Sequence, residues 1–149
     1  MVVSEAIDRG DKDKLLSFDL REKPVALQLG GSTPKLLANA AKIGEDYGYD
    51  EINLNLGCPS KKVQKNRFGA CLMKEPDLVA ECLVEMQNKT NLPVTIKTRI
   101  GYDDIDDYEN LHNFINKLKN TGVSTFIIHA RKAVLGLSLI HISEPTRPY

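Results

Sequence analysis

With 149 residues, 42% of them hydrophobic and 27% charged, the chain has the make-up of one ordinary globular domain and not of a disordered or fibrous polymer. Its 20 basic and 20 acidic side chains balance to a net charge of +0, which excludes a generic polyanion binder but leaves room for a local basic patch. No run approaches the roughly 20 apolar residues of a membrane span, residues 1–13 lack the layout of a signal peptide, and Cys58, Cys71 and Cys82 form no C-x-x-C pair. The expectations are therefore no membrane, no metal, and reduced thiols in a cytoplasmic protein.

Along the chain, short apolar runs alternate with amphipathic helices. Residues 24–29 read as a buried strand ended by Gly30-Gly31, after which Ser32 or Thr33 caps a helix with Pro34 in its first turn. Leu36, Leu37, Ala40 and Ile43 form its apolar face, and Gly48 is placed to stop it. A second strand follows at 51–56. Pro76 opens the next helix, with Leu78, Val79, Cys82, Leu83 and Met86 at helical spacing. Residues 93–98 are the third strand. Asp106 or Asp107 caps a helix carrying Leu111, Phe114, Ile115 and Leu118, and residues 124–129 are the fourth strand. Repeated strand–helix units with near-continuously apolar strands imply α/β architecture with a parallel sheet.

Periodicity alone leaves an open doubly wound sheet and a (β/α)8 barrel both possible. Polar residues favour the barrel, because Gln28, Asn53, Asn55, Lys97 and His129 all fall at or near the carboxyl ends of strands, the face that holds barrel active sites. A complete barrel takes about 250 residues. The expected fold is therefore a partial TIM barrel, about half of the parallel-strand wall, over residues 1–136.

The most informative stretch is Asn55-Leu56-Gly57-Cys58-Pro59-Ser60, which places a thiol just past a strand, where α/β proteins present reactive groups. It continues through Lys61-Lys62-Val63-Gln64-Lys65-Asn66-Arg67 to Phe68-Gly69-Ala70-Cys71-Leu72-Met73. With Val25-Ala26-Leu27-Gln28-Leu29-Gly30-Gly31, Ile96-Lys97-Thr98-Arg99-Ile100-Gly101 and Ile127-Ile128-His129-Ala130-Arg131-Lys132, this segment closely resembles the signature of the flavin-dependent tRNA-dihydrouridine synthases. The variants around Cys71 and His129 resemble the bacterial A-type branch, which reduces uridines 20 and 20a of the tRNA D-loop.

The resemblance implies FMN-dependent, NADPH-driven reduction of the uridine 5,6-double bond, with hydride passing from FMN to C6 and a proton reaching C5. Cys58 matches the catalytic acid of that family. A thiol with an ordinary value near 8.5 is protonated at neutral pH and suits that task. From position alone, a small buried hydrophobe is an equal alternative for a free cysteine. Gln28, Lys97 and His129 match cofactor contacts, Lys97 facing charge that develops at the flavin N1–C2=O locus. Asn55 matches a position between flavin and target uridine. Arg131 and Lys132, with Lys61, Lys62, Lys65 and Arg67, would meet tRNA phosphates beside a flipped uridine, although a solvated charged face explains any single lysine as well. Cys71 and Cys82 read as structural. Gly30-Gly31 belongs to a close turn, since no G-x-G-x-x-G follows a strand.

Residues 137–149 depart from this pattern. They resemble a translated transposon-end sequencing adapter, and a non-native tail that includes His141 is expected there. The first strand of the family, its FMN-phosphate segments and its helical tRNA-binding domain have no counterpart in the sequence, so the expectation for the polypeptide alone is an inactive fragment. Two rivals are open: an FMN barrel of the dihydropyrimidine or dihydroorotate type, and a non-catalytic RNA-binding fragment.

Overall fold

The computed structural model describes residues 1–135. The expected foreign tail at 137–149 lies outside the described residues, as does position 136.

Five parallel strands run β1 (Val2–Val3), β2 (Ala26–Gly30), β3 (Glu51–Leu56), β4 (Val94–Arg99) and β5 (Phe126–His129). Their spatial order is the sequence order, β1-β2-β3-β4-β5. A doubly wound sheet reverses direction at a switch point. This sheet never does, so its connections keep one sense around the wall, as in a barrel. The fold is α/β, and the sheet is part of a (β/α)8 barrel wall.

The strands alternate; they are not apolar on both faces as the sequence reading has it. Leu27, Leu29, Ile52, Leu54, Leu56 and Ile96 are buried on one face. Gln28, Asn53, Asn55, Thr95 and Lys97 occupy the other, because successive side chains point to opposite faces. Helices cover the apolar face: α3 (Pro34–Asp46), α5 (Pro76–Lys89) and α6 (Tyr108–Lys119), while α1 (Ser4–Arg9), α2 (Lys12–Leu16) and α4 (Lys61–Lys65) are short. Leu37, Ala40 and Ala41 of α3 join Val79, Cys82, Leu83 and Met86 of α5 and Phe114 and Leu118 of α6 in one core. Small alanines let α3 and α5 lie close over the sheet.

The apolar face of α3 is rotated from the expected one. Ala38, Ala41 and Gly44 are buried, while Leu36 and Ile43 are half-buried. Gly44 takes this place because a Cβ there would meet Leu27 at 2.7 Å and Ile52 at 2.9 Å. Thr33 occupies the N-cap, but its hydroxyl makes no cap bond; Pro34 in the first turn sets the start instead. In α6 the cap is Asp107, whose carboxylate accepts the Asn110 N–H at 2.8 Å. Strand β2 starts two residues later than expected, with Pro24 outside it and the Val25 N–H donating to Asp50 at 2.8 Å.

Candidate active site

Strand register builds the site. Gln28 lies beside Asn53 and Asn53 beside Thr95, Asn55 lies beside Lys97, and Arg99 beside His129. All seven therefore share the face away from the helices. At the carboxyl ends of β2 to β5, Gln28, Asn55, Cys58, Lys97, Arg99 and His129 surround a cavity of about 290 Å³. That volume is near the lower end of small-molecule pockets.

The turn carrying Cys58 is held from both sides. Asn55 Oδ1 accepts the backbone N–H groups of Gly57 at 3.1 Å and Cys58 at 3.0 Å, an Asx-type turn that ends β3 and starts the loop. Arg99 Nε donates to the Gly57 carbonyl at 2.7 Å. Ala70 N–H donates to the Cys58 carbonyl at 2.9 Å, bringing the returning loop against the turn. Gly69 makes that approach possible: its φ is +75°, and a Cβ there would stand 2.5 Å from the Cys58 oxygen. Ser60, whose hydroxyl caps α4 through the Val63 N–H at 3.3 Å, receives the Cys58 thiol at 3.7 Å.

Two amides face the cavity in fixed orientation. Asn55 Nδ2 donates to Gln28 Oε1 at 2.9 Å, and Gln28 Nε2 donates to Asn53 Oδ1 at 2.8 Å. Lys97 is exposed, and its ammonium makes no hydrogen bond or ion pair among the described residues. His129 is also exposed; partial burial, then the Arg99, Lys97 and Arg131 charges, lower its pKa from the ordinary value. That shift favours the neutral ring, which has one nitrogen to donate and one to accept.

The other candidates fall in different places. Lys132 is half-committed, its ammonium 3.1 Å from Asp106. Arg131 is exposed, and its backbone N–H donates to the His129 carbonyl at 2.7 Å. Lys61, Lys62 and Lys65 are exposed on and around α4, whereas Arg67 pairs with Glu75 at 3.0 Å. The Cys71 thiol is half-buried and donates to the Phe68 carbonyl at 3.1 Å; burial raises its pKa. Burial pushes Cys82 up to about 12, as suits a core thiol. No group of three or more His, Cys, Asp or Glu able to hold a metal occurs among the described residues. No helix among them is long and apolar enough to cross a membrane.

The sequence reading gives Asn53 no part in the site, assigns nothing to Glu51 or Thr95, and has Ser60 and Arg99 only as parts of motifs. Counting back by two from Asn55 and Lys97 places Asn53 and Thr95 on the same face, so period-two spacing carries that signal. A second cavity of about 280 Å³, lined by Met73, Tyr102, Phe114 and Lys117 among others, contains none of the site residues.

The dihydrouridine synthase (Dus) family profile matches residues 1–144. A tRNA-dihydrouridine(20/20a) synthase of Synechocystis sp. is 57% identical over 139 residues, which is 93% of this chain and 42% of the relative. Proteins of the same name from Xanthomonas campestris and Vibrio cholerae are 55% and 57% identical, again over 93% of this chain and 42% of theirs. The chain thus spans less than half the length of the curated relatives it matches.

Proposed function

The chain belongs to the dihydrouridine synthase family, and we propose that it forms the catalytic wall of a flavin-dependent tRNA-dihydrouridine synthase acting in the cytosol. The observation that carries this reading is the shared cavity. One thiol, Cys58, opens onto the same space as the Gln28 amide, the Asn55 amide, the Lys97 ammonium and the His129 ring.

The donor set fits a flavin. Gln28 offers an N–H and a carbonyl oxygen side by side, the complement of a pyrimidine edge, and Lys97 supplies a positive charge not taken by another side chain of the described residues. FMN bound there would supply hydride to uridine C6, with NADPH as the ultimate reductant. In this proposal, Gln28, Lys97 and His129 hold the cofactor, and Lys97 stabilises negative charge arising during reduction. Asn55 fixes the Cys58 turn and faces the substrate. Cys58 delivers a proton from its thiol to C5.

The substrate in this reading is a uridine of the tRNA D-loop, turned out of its stack to reach the cavity. Arg131, Lys132 and the exposed lysines of α4 would meet flanking phosphates, with Lys132 exchanging Asp106 for phosphate. Incubating the full-length gene product with NADPH and unmodified tRNA, followed by nucleoside mass spectrometry, tests the proposal. Dihydrouridine in tRNA supports it. Reduction of free uracil with tRNA untouched would instead indicate a small-molecule pyrimidine reductase.

A further inference from the structure

Beneath the cavity runs a chain of hydrogen bonds whose direction is fixed at both ends. At the upper end, Asn55 Oδ1 accepts two backbone N–H groups, which can only donate. Its other amide atom, Nδ2, must then be the donor to Gln28 Oε1 at 2.9 Å. Gln28 Nε2 in turn donates to Asn53 Oδ1 at 2.8 Å, and Asn53 Nδ2 donates to Thr95 Oγ1 at 2.8 Å. The Thr95 hydroxyl proton therefore points to its remaining partner, the Glu51 carboxylate. A carboxylate oxygen accepts that proton, so the lower end agrees with the direction set at the upper one.

Asn53 and Thr95 are each 3% exposed, so water does not readily replace a missing partner in the middle of the chain. Glu51 itself stands at the start of β3, in register with Ala26, and does not line the cavity. We infer that Glu51 is a positioning residue: through Thr95 and Asn53 it holds in place, from below, the Gln28 amide whose orientation Asn55 sets from above. The two ends together fix where that amide presents N–H and where it presents oxygen to a bound ligand. The ligand part of this inference rests on reading Gln28 as a flavin contact; the orientation of the amide does not.

Glu51→Met keeps length and removes the acceptor, whereas Glu51→Gln keeps an oxygen that can accept from Thr95. Thr95→Val, nearly isosteric, cuts the same chain one link closer to the cavity and serves if Glu51→Met does not fold. In the full-length protein, the side-chain amide ¹⁵N–¹H signals of Gln28, Asn53 and Asn55 report orientation directly, and titration with FMN reports its consequence. The expected result is shifted and faster-exchanging Gln28 amide protons in Glu51→Met and Thr95→Val, with wild-type signals regained in Glu51→Gln. FMN affinity should fall about tenfold in the first two variants and recover in the third, the effect of one unsatisfied buried hydrogen-bonding group. Unchanged Gln28 and Asn53 signals in both chain-breaking variants would overturn the inference. Responsive amide signals in a protein that does not bind FMN would leave the positioning role standing and remove the flavin reading instead.

Discussion

Asn55 Oδ1 lies 3.0 Å from the backbone nitrogen of Cys58, and that single hydrogen bond ties the last polar residue of a strand to the thiol three residues on. The same side chain reaches Gln28 through its nitrogen. One buried amide thus sets both the turn that carries the thiol and the wall opposite it.

Asn55→Ala removes two acceptor contacts and one donor contact at a site only 9% exposed. A destabilisation of about 1–3 kcal/mol is expected from the polar groups left unpaired. Turnover should fall along with it, because the Cys58 turn loses its anchor. Urea denaturation of wild type and variant checks the first effect, and equal midpoints would contradict it.

Gly69 accommodates the returning loop at a backbone angle that L side chains rarely adopt. Gly69→Ala should cost about 1–3 kcal/mol in backbone strain, before any displacement of the Cys58 carbonyl is counted. Ala70→Gly, one residue on, keeps the loop free of that clash and serves as the control. The comparison is of thermal midpoints, and a Gly69→Ala protein as stable as the control would refute the packing argument.

Acid sensitivity should originate partly at Glu45, far from the cavity. Its carboxylate accepts from the Asn91 side chain at 2.9 Å, the Thr90 hydroxyl at 2.8 Å and the Asn91 N–H at 3.2 Å, tying α3 to the turn after α5. These donors, led by the Asn91 side chain, hold its pKa down to about 2 from 4.5. Because the folded value is the lower one, the contribution is fully present above about pH 4.5 and is lost as pH falls toward 2. Glu45→Gln should flatten that part of the stability profile. Thermal melts between pH 6 and pH 3 with the same slope for both proteins would contradict the assignment.

How much of this was legible in the sequence depends on the length of each signal. β3 is found at 51–56 as expected, since Ile52, Leu54 and Leu56 alternate with polar residues and Gly57 ends the run. Helix α5 starts at Pro76 as its proline indicates. β1 has two residues and α1 only six, too few to show any period, so the parallel pairing of Val2 with Leu29 is absent from the sequence reading. Gln28, Asn55, Cys58, Lys97 and His129 do converge on one cavity, because each sits near the same end of a parallel strand. What a linear reading misses is partnership across strands. The Asn53–Thr95 contact spans 42 residues, and Lys132 faces Asp106 from another loop.

The central claim is that Cys58 donates the proton to the substrate, and single-turnover oxidation of the pre-reduced full-length protein by tRNA tests it most directly. Flavin absorbance is followed after mixing wild type or Cys58→Ala with unmodified tRNA, with FMN and tRNA affinities measured in parallel. The account predicts unchanged affinities and reoxidation slowed by roughly 10²–10⁴-fold in Cys58→Ala, the usual worth of a positioned general acid. Equal reoxidation rates, with dihydrouridine formed by both proteins, would contradict it.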